Sequence, residues 1–407
     1  MKFNFSESGF SENQLLKETE KIGAKELVKK EEMPFIELPT PKELRKIEET
    51  AKLLREESEK LVVVGMGGSI NGTIALHEAL RWNSRELLFI DNIDPELVEN
   101  VLQESKNASF AFISKSGRTL ETVSVMNLVF QKLREHNTPI HKRCLFIGDR
   151  GNPFEEVAKE TGAPFLPIPK EVGGRFSVFT AVSLLPGAFA GYDLESLLEG
   201  ARRAVNSPEG ALLLAAFKYL SYREGKKIAV MMPYSSYLSG FIRWYEQLWS
   251  ESLGKEGKGQ TPLGAVGTSS QHSLLQLFLD GPEDKLYQLV RVKRFRKDET
   301  VKEGLVLSYL KGKKISQVFN AEFEGTFRAL AKKGKPVVVI ELEELKEEEM
   351  GELLMSYMIA TIAMGKLMGV NPYGQEAVEL GKRITKEVLK GGRDGEDLQR
   401  GGTFTDK

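Results

Sequence analysis

The sequence contains a single cysteine, Cys144, in 407 residues. No intramolecular disulfide can form, so packing must hold the fold together, and a reducing compartment is expected. Histidine is almost as scarce. The four present, His77, His136, His141 and His272, form no HExxH or other paired ligand spacing, and Cys144 with His136 and His141 is too loosely spaced for a metal centre. We therefore expect no protein-bound metal. Excess charge is missing too: 57 Lys+Arg against 58 Asp+Glu leave a formal net charge of -1, which argues against a general binder of nucleic acid or membrane surfaces. No apolar run reaches the ~20 residues of a membrane span. The opening MKFNFSESGF lacks the charged-then-apolar build of a secretion signal, so a soluble cytoplasmic protein is expected.

What is present is an alternating pattern long enough for two or three domains of ~150 residues. From Leu61 to Pro169, the short apolar runs LVVVG, LLFID, FAFIS, CLFIG and PFLPI alternate with helix-length segments. Strands that are apolar throughout have both faces covered, as in a parallel sheet between helices. A charged helical stretch over 41–60 precedes this series, and helical patterns over 176–189 and 194–223 follow it. The strand pattern restarts with KKIAVMMPYS at 226–235 and continues with KLYQLVRV at 285–292 and KPVVVIEL at 335–342. Helices are expected over 238–253, 315–333, 350–368 and 375–389, the last two separated at Asn371-Pro372. The fold class is α/β: two αβα sandwich domains with parallel sheets, plus C-terminal helices. We divide the chain into an N-terminal segment (1–40), a first α/β domain (41–205), a second (206–370) and a C-terminal helix and tail (371–407). Residues 391–407, polar and rich in glycine, read as a tail or a strap onto a partner.

Two turns carry the strongest functional signal. LVVVGMGGSINGT (61–73) and FAFISKSGRTLET (110–122) each sit where a buried strand gives way to a helix. A helix start offers unpaired N–H groups and the positive end of the peptide dipole, so two of them on one sheet form a cup for an anion. Ser69, Ser114, Ser116 and Thr119 line that cup with hydroxyls, which suits one phosphate group on a small molecule. Any parallel sheet needs glycines at tight turns; it is the pairing of two hydroxyl-bearing turns that points to a ligand. Nucleotide readings fit less well. After Gly65 and Gly67 a dinucleotide fingerprint needs a third glycine where Ile70 stands, although Asp91 at the end of LLFID could serve as a ribose-binding acid. Gly67 and Gly72 have P-loop spacing, but Thr73 replaces the essential lysine.

Four further segments hold groups able to move protons or stabilise charge. Glu251, in WSESLGKEGKG, lies near the end of a helix that Gly254 would stop. Beside Trp249 it is a candidate general base, while Lys255 at i+4 offers the plainer reading of a surface ion pair. Gln247, one turn earlier on the same face, brings an amide next to that carboxylate. His272, in GTSSQHSLLQLF, follows a Gly/Ser/Thr turn at the start of an amphipathic helix and has the pKa range to pass a proton either way. Arg175 follows two glycines in EVGGRFSVFTA, where the backbone can approach a ligand closely and a guanidinium can stabilise a developing oxyanion. Lys382 is two helical turns after Gln375 in NPYGQEAVELGKRI, so both are expected on one face; with Glu379 and Arg383 nearby, a solvated charged face is the alternative.

Together and in this order, GMGGS, SKSGRTLET, VGGRFS, ESLGK, GTSSQH and QEAVELGK resemble the glucose-6-phosphate isomerase family, the aldose–ketose isomerases of glycolysis, in its compact bacterial form. The resemblance runs from about residue 61 to 389. It implies that Ser69, Ser114, Lys115, Ser116, Thr119 and the backbone of Gly68 hold the sugar's phosphate. It implies that Glu251 moves the proton between C1 and C2, that Arg175 stabilises the cis-enediol(ate), and that His272 and Lys382 assist ring opening and closure. Gln247 and Gln375 fall on substrate-contacting positions. The resemblance also implies two sugar-isomerase domains, no cofactor, and a homodimer in which His272 is donated across the interface. Arg118 occupies a place where small hydroxyl residues are common in the family. Two alternatives use the same residues: a dual phosphoglucose/phosphomannose isomerase, since the cup does not report stereochemistry at C2, and a non-catalytic sugar-phosphate-binding regulator, which could dispense with Glu251, His272 and Lys382.

Overall fold

The computed structural model describes residues 1–391, with residues 83 and 106 and the side chains of residues 24 and 25 set aside. The described strands are β1 (Lys2–Asn4), β2 (Lys60–Val64), β3 (Glu86–Ile90), β4 (Ser109–Ile113), β5 (Cys144–Gly148), β6 (Phe165–Pro167), β7 (Ile228–Tyr234), β8 (Thr261–Gly264), β9 (Lys285–Val292) and β10 (Val337–Leu342). They form two five-stranded sheets with the orders β3-β2-β4-β5-β6 and β1-β10-β9-β7-β8. The first is parallel throughout. The second is parallel except for β1, which runs antiparallel to β10 with Phe3 opposite Ile340.

The strands are apolar at successive positions because each pleat alternates between two interiors. Leu61 and Val63 of β2 and Ala111 and Ile113 of β4 belong to one large core, while Val62, Val64, Phe110 and Phe112 face an outer core. Helices Pro95–Glu104, Leu120–Glu135 and Pro153–Thr161 cover that outer core. In the second sheet Ala229 and Met231 join the same large core, and Val230, Met232 and Tyr234 turn outward. The large core is therefore shared between the sheets.

Helix Glu347–Met368 runs through the shared core and is buried along most of its length, which requires a sequence apolar all round. Helix Leu194–Asn206 lies against it almost backbone to backbone. A Cβ on Gly200 would fall 1.9 Å from the Glu348 carbonyl oxygen, and one on Gly351 would fall 1.9 Å from that of Leu197. Glycine at both positions is thus a condition of the packing.

Other elements depart from the sequence pattern for local reasons. β1 and β8 are short edge strands, and β8 contains Pro262, so neither carries an alternating or continuous apolar signal. The helical pattern over 194–223 is broken at Ser207-Pro208 into Leu194–Asn206 and Glu209–Arg223. The expected tail lies, from residue 392 onward, outside the described residues. Among the described residues no helix is long and apolar enough to cross a membrane.

The two sheets are wired alike. From the strand next to one edge (β2 or β7) the chain forms that edge strand (β3 or β8), then crosses to the other side (β4 or β9). The crevice beyond the C-terminal ends of β2 and β4, or of β7 and β9, is where such sheets receive ligands.

Helix Asn71–Leu80, which leaves the first of these crevices, carries His77 between the rings of Phe89 and Tyr192, 2.7 Å from the Tyr192 hydroxyl. Burial, aided by nearby Arg81, pushes its pKa from 6.5 down to about 4. The unfolded chain then binds the proton more readily than the folded one, so this contribution to stability is complete above about 6.5 and is lost as pH falls towards 4. The denaturant midpoint should drop across that window, and His77→Gln should flatten the drop; an equally steep decline in the variant would assign it to other groups.

Candidate active site

At the end of β2 the backbone turns through Gly67–Ser69 into helix Asn71–Leu80, whose start has no side-chain cap. Gly68 meets the turn that carries Arg175: a Cβ there would lie 2.3 Å from the carbonyl carbon of Gly174. The Ser177 hydroxyl donates to the carbonyls of both Gly68 (3.2 Å) and Gly174 (2.7 Å), which clasps the two turns together. Only a residue without a side chain permits this approach.

The second loop leaves β4 at Ser114, which is fully buried and lies 2.8 Å, hydroxyl to hydroxyl, from Thr119. Thr119 occupies the cap position of helix Leu120–Glu135 without bonding its N–H groups through the side chain. Two helix starts without side-chain caps therefore converge on the crevice, leaving their backbone donors to an incoming oxygen. The Ser116 hydroxyl accepts from the Arg118 N–H at 3.2 Å, and the Arg118 side chain is exposed. Lys115 has a different task from simple display of charge. Its ammonium donates to the carbonyls of Lys170 (2.7 Å) and Val172 (2.8 Å), tying the loop to the segment that enters the Arg175 turn.

Glu251 stands in the last turn of helix Ser239–Leu253 with Gln247 one turn before it. The Gln247 amide donates to one Glu251 oxygen at 3.0 Å, and Arg175 Nη1 approaches the other at 3.3 Å. All five donors of the Arg175 guanidinium find acceptors. Nε donates to the Ser252 hydroxyl (2.8 Å), Nη1 to Glu251 and to Gln375 Oε1 (3.0 Å), and Nη2 to the carbonyls of Pro372 (2.6 Å) and Gly374 (3.0 Å). Burial lowers the Arg175 pKa, and the Glu251 carboxylate acts in the opposite direction.

The expected Glu251–Lys255 surface pair is not how these residues are used. Lys255 turns its ammonium to the carbonyls of Asn371 (2.7 Å), Tyr373 (2.6 Å) and Gly374 (3.0 Å), so both cations grip the same C-terminal turn. Gln375 and Lys382 do not share a helix face either. Gln375 precedes the 3-10 turn Glu376–Val378 and points to Arg175, whereas Lys382 lies within helix Glu379–Leu389 and pairs with Glu379 at 2.7 Å in solvent. His272 is exposed at the end of the 3-10 turn Ser269–His272, not at the start of a helix. Within one chain the network thus joins Arg175, Gln247, Glu251 and Gln375 but does not extend to His272 or Lys382. Asp91, on which a ribose contact would depend, is ion-paired with Arg243. Among the described residues no group of three or more His, Cys, Asp or Glu side chains is placed to hold a metal.

The family model described as phosphoglucose isomerase matches residues 50–401. The chain belongs to the phosphoglucose isomerase family. Within the family it is similar to the glucose-6-phosphate isomerase of Rubrobacter xylanophilus, at 38% identity over 86% of this chain and 88% of that protein. It is likewise 38% identical to the enzyme of that name from Methanocaldococcus jannaschii, over 82% and 84% of the two chains. Among solved structures, a glucose-6-phosphate isomerase from Chlamydia trachomatis shares the fold at a TM-score of 0.86 and 21% identity, over 98% of this chain and 90% of that one.

Sequence reasoning missed Asn71. Its amide donates to Gln247 Oε1 at 2.8 Å, which fixes the orientation in which the Gln247 nitrogen faces Glu251. A residue that acts across 176 positions leaves no local signature. Asn71→Leu should free the Gln247 amide to rotate, lowering kcat by about ten- to a hundredfold through misplacement of the carboxylate with little change in KM. Unaltered kcat would show that Asn71 does not orient the pair.

Proposed function

We propose that the chain interconverts glucose 6-phosphate and fructose 6-phosphate through a cis-enediol(ate), with Glu251 as the single proton-transferring base. The observation that carries this reading is the Glu251 carboxylate held between an amide and a buried guanidinium, beside a pair of helix starts suited to phosphate. The names of the relatives in Rubrobacter xylanophilus and Methanocaldococcus jannaschii support it.

The phosphate enters the cup of Gly68, Ser69, Ser114, Ser116 and Thr119, and its binding energy positions the open-chain sugar. Lys115 contributes by holding the loop in place through two carbonyls. Glu251 takes the proton from C2 of the aldose and returns it to C1, and a hydroxyl proton passes between the two oxygens. C2 is oxidised as C1 is reduced, so electrons balance within the substrate and no redox cofactor is required. Arg175 stabilises the charge on the enediolate oxygen, and Gln247 and Gln375 contact the sugar. Lys382 and the His272 of a neighbouring copy open the ring. The exposure of His272, outside the network that holds Glu251, supports its use by another subunit.

Glu251→Gln keeps the shape and removes the base. Turnover should fall by about 10²–10⁴-fold while binding of a non-reacting phosphosugar is retained; near-normal turnover would remove Glu251 from the mechanism.

The shared-site arrangement has its own test. Glu251→Gln and His272→Ala homodimers should each be inactive, but in a mixed dimer one site combines an intact Glu251 with an intact His272. Unfolding and refolding an equal mixture should restore roughly a quarter of normal activity, as two-fold symmetry requires. No recovery in verified mixed dimers would place both groups in one subunit's site.

A further inference from the structure

We propose that the crevice at the C-terminal ends of β7 and β9 is a second ligand site, built for a nucleotide. It occupies the place in the second sheet that the phosphate cup occupies in the first. That equivalence rests on the phosphate reading of the first loops; the cavity itself does not. β2 and β7 each pass through a 3-10 turn into a helix: Gly67–Ser69 before Asn71–Leu80, and Ser236–Leu238 before Ser239–Leu253. In the second sheet the loop after β9, residues 293–298, completes the crevice and encloses about 290 Å³, close to the lower end of small-molecule sites.

The two crevices differ in chemistry. The first is made of glycines and hydroxyls, the second of flat rings and cations. Trp82 and Tyr237 stand 4.8 Å apart, centroid to centroid, at 56°, forming an angled wall, and Phe319 adds a further ring. Arg296 is bound to the Leu345 carbonyl and lies 5.9 Å over Trp82, where it stiffens that wall. The neighbouring carboxylates are already engaged. Asp298 accepts from the Ser316 N–H (2.8 Å) and hydroxyl (2.7 Å), and Glu344 is 3.5 Å from Lys346. Arg294 and Lys297, exposed at the rim, are not ion-paired among the described residues. Arg81 lies 5.3 Å over Tyr237 as Arg296 does over Trp82, so it is the exposed part of Trp82, beside two available cations, that matches an aromatic base carrying a phosphate.

The molecule supplies its own probe. Of its three tryptophans, Trp82 is 38% exposed, while Trp244 and Trp249 are 2% and 0% exposed. Titrating the intact protein with adenosine 5′-monophosphate should quench tryptophan emission saturably, and Trp82→Phe should abolish that signal. The double variant Arg294→Ala/Lys297→Ala should weaken binding at least tenfold yet leave fructose 6-phosphate turnover unchanged without nucleotide. Saturating fructose 6-phosphate should not displace the nucleotide. Absence of saturable quenching at millimolar nucleotide would overturn the proposal. So would equal affinity for adenosine, which lacks the phosphate, equal binding of glucose 6-phosphate at this site, or displacement by fructose 6-phosphate. Because quenching is read without turnover, its failure is distinct from any failure of the isomerase assignment.

Discussion

The site depends on one buried cation. Arg175 is 4% exposed, and a charge removed from water to that degree must be met on every donor or the fold loses several kcal/mol. Its acceptors come from two places far apart in sequence: Glu251 and Ser252 on one helix, and Pro372, Gly374 and Gln375 in the C-terminal turn. The guanidinium fork is rigid, so its position fixes theirs. Lys255 reinforces the arrangement by donating to the same turn. A carboxylate in the last turn of a helix faces the negative end of the dipole, a penalty of about 0.3–1 kcal/mol, which the adjacent Arg175 offsets.

Two helices hold Glu251 at a set distance from the Gly67–Ser69 turn. Asn71 meets Gln247, Gly240 packs on the backbone of Ile74 and Ala75, and Glu78 receives the Ser239 hydroxyl and the Gly240 N–H. These contacts run in opposite senses along the two helices, so helix Asn71–Leu80 lies antiparallel to helix Ser239–Leu253. The start of the first, with its open N–H groups, is thereby set beside the end of the second, which carries Glu251. Asp91–Arg243 adds a further tie between the first sheet and the second helix. The contact of Gly68 with Gly174 closes the third side by bringing the arginine turn onto the phosphate loop. The Gly67–Ser69 turn, the Glu251 carboxylate and the Arg175 guanidinium are thereby fixed relative to one another, as the proposed reaction on a sugar held by its far end requires.

Much of this was legible in the sequence because burial on both faces of a sheet leaves a direct mark. The runs LVVVG, FAFIS and KPVVVIEL became strands whose alternate residues fill different cores. The marks vanish where an element is short or held from a distance. β1 has three residues and is defined by its pairing with β10, and β8 is the sequence TPLG, which carries no strand pattern. The same limit applies in the site. Glu251 and Lys255 at i, i+4 looked like an ion pair, and Gln375 and Lys382 like one helix face, because spacing describes only an isolated helix. Long-range acceptors decided otherwise: three carbonyls drew Lys255 away, and Arg175 drew Gln375 out of the helix. Asn71 and Ser252 were silent for the same reason, since each acts on a residue more than seventy positions away.

Similar wiring in the two sheets has led to different surfaces, and the cause lies in the residues that follow β2 and β7. After β2, successive glycines let the turn press against a second backbone. After β7, Ser235 and Tyr237 stand where glycine would allow collapse, and their side chains keep the crevice wide. The first sheet therefore offers backbone donors and hydroxyls, and the second offers rings and long cations. Helix Ser239–Leu253 begins at the second crevice and carries Glu251 in its last turn, so the two crevices share one helix.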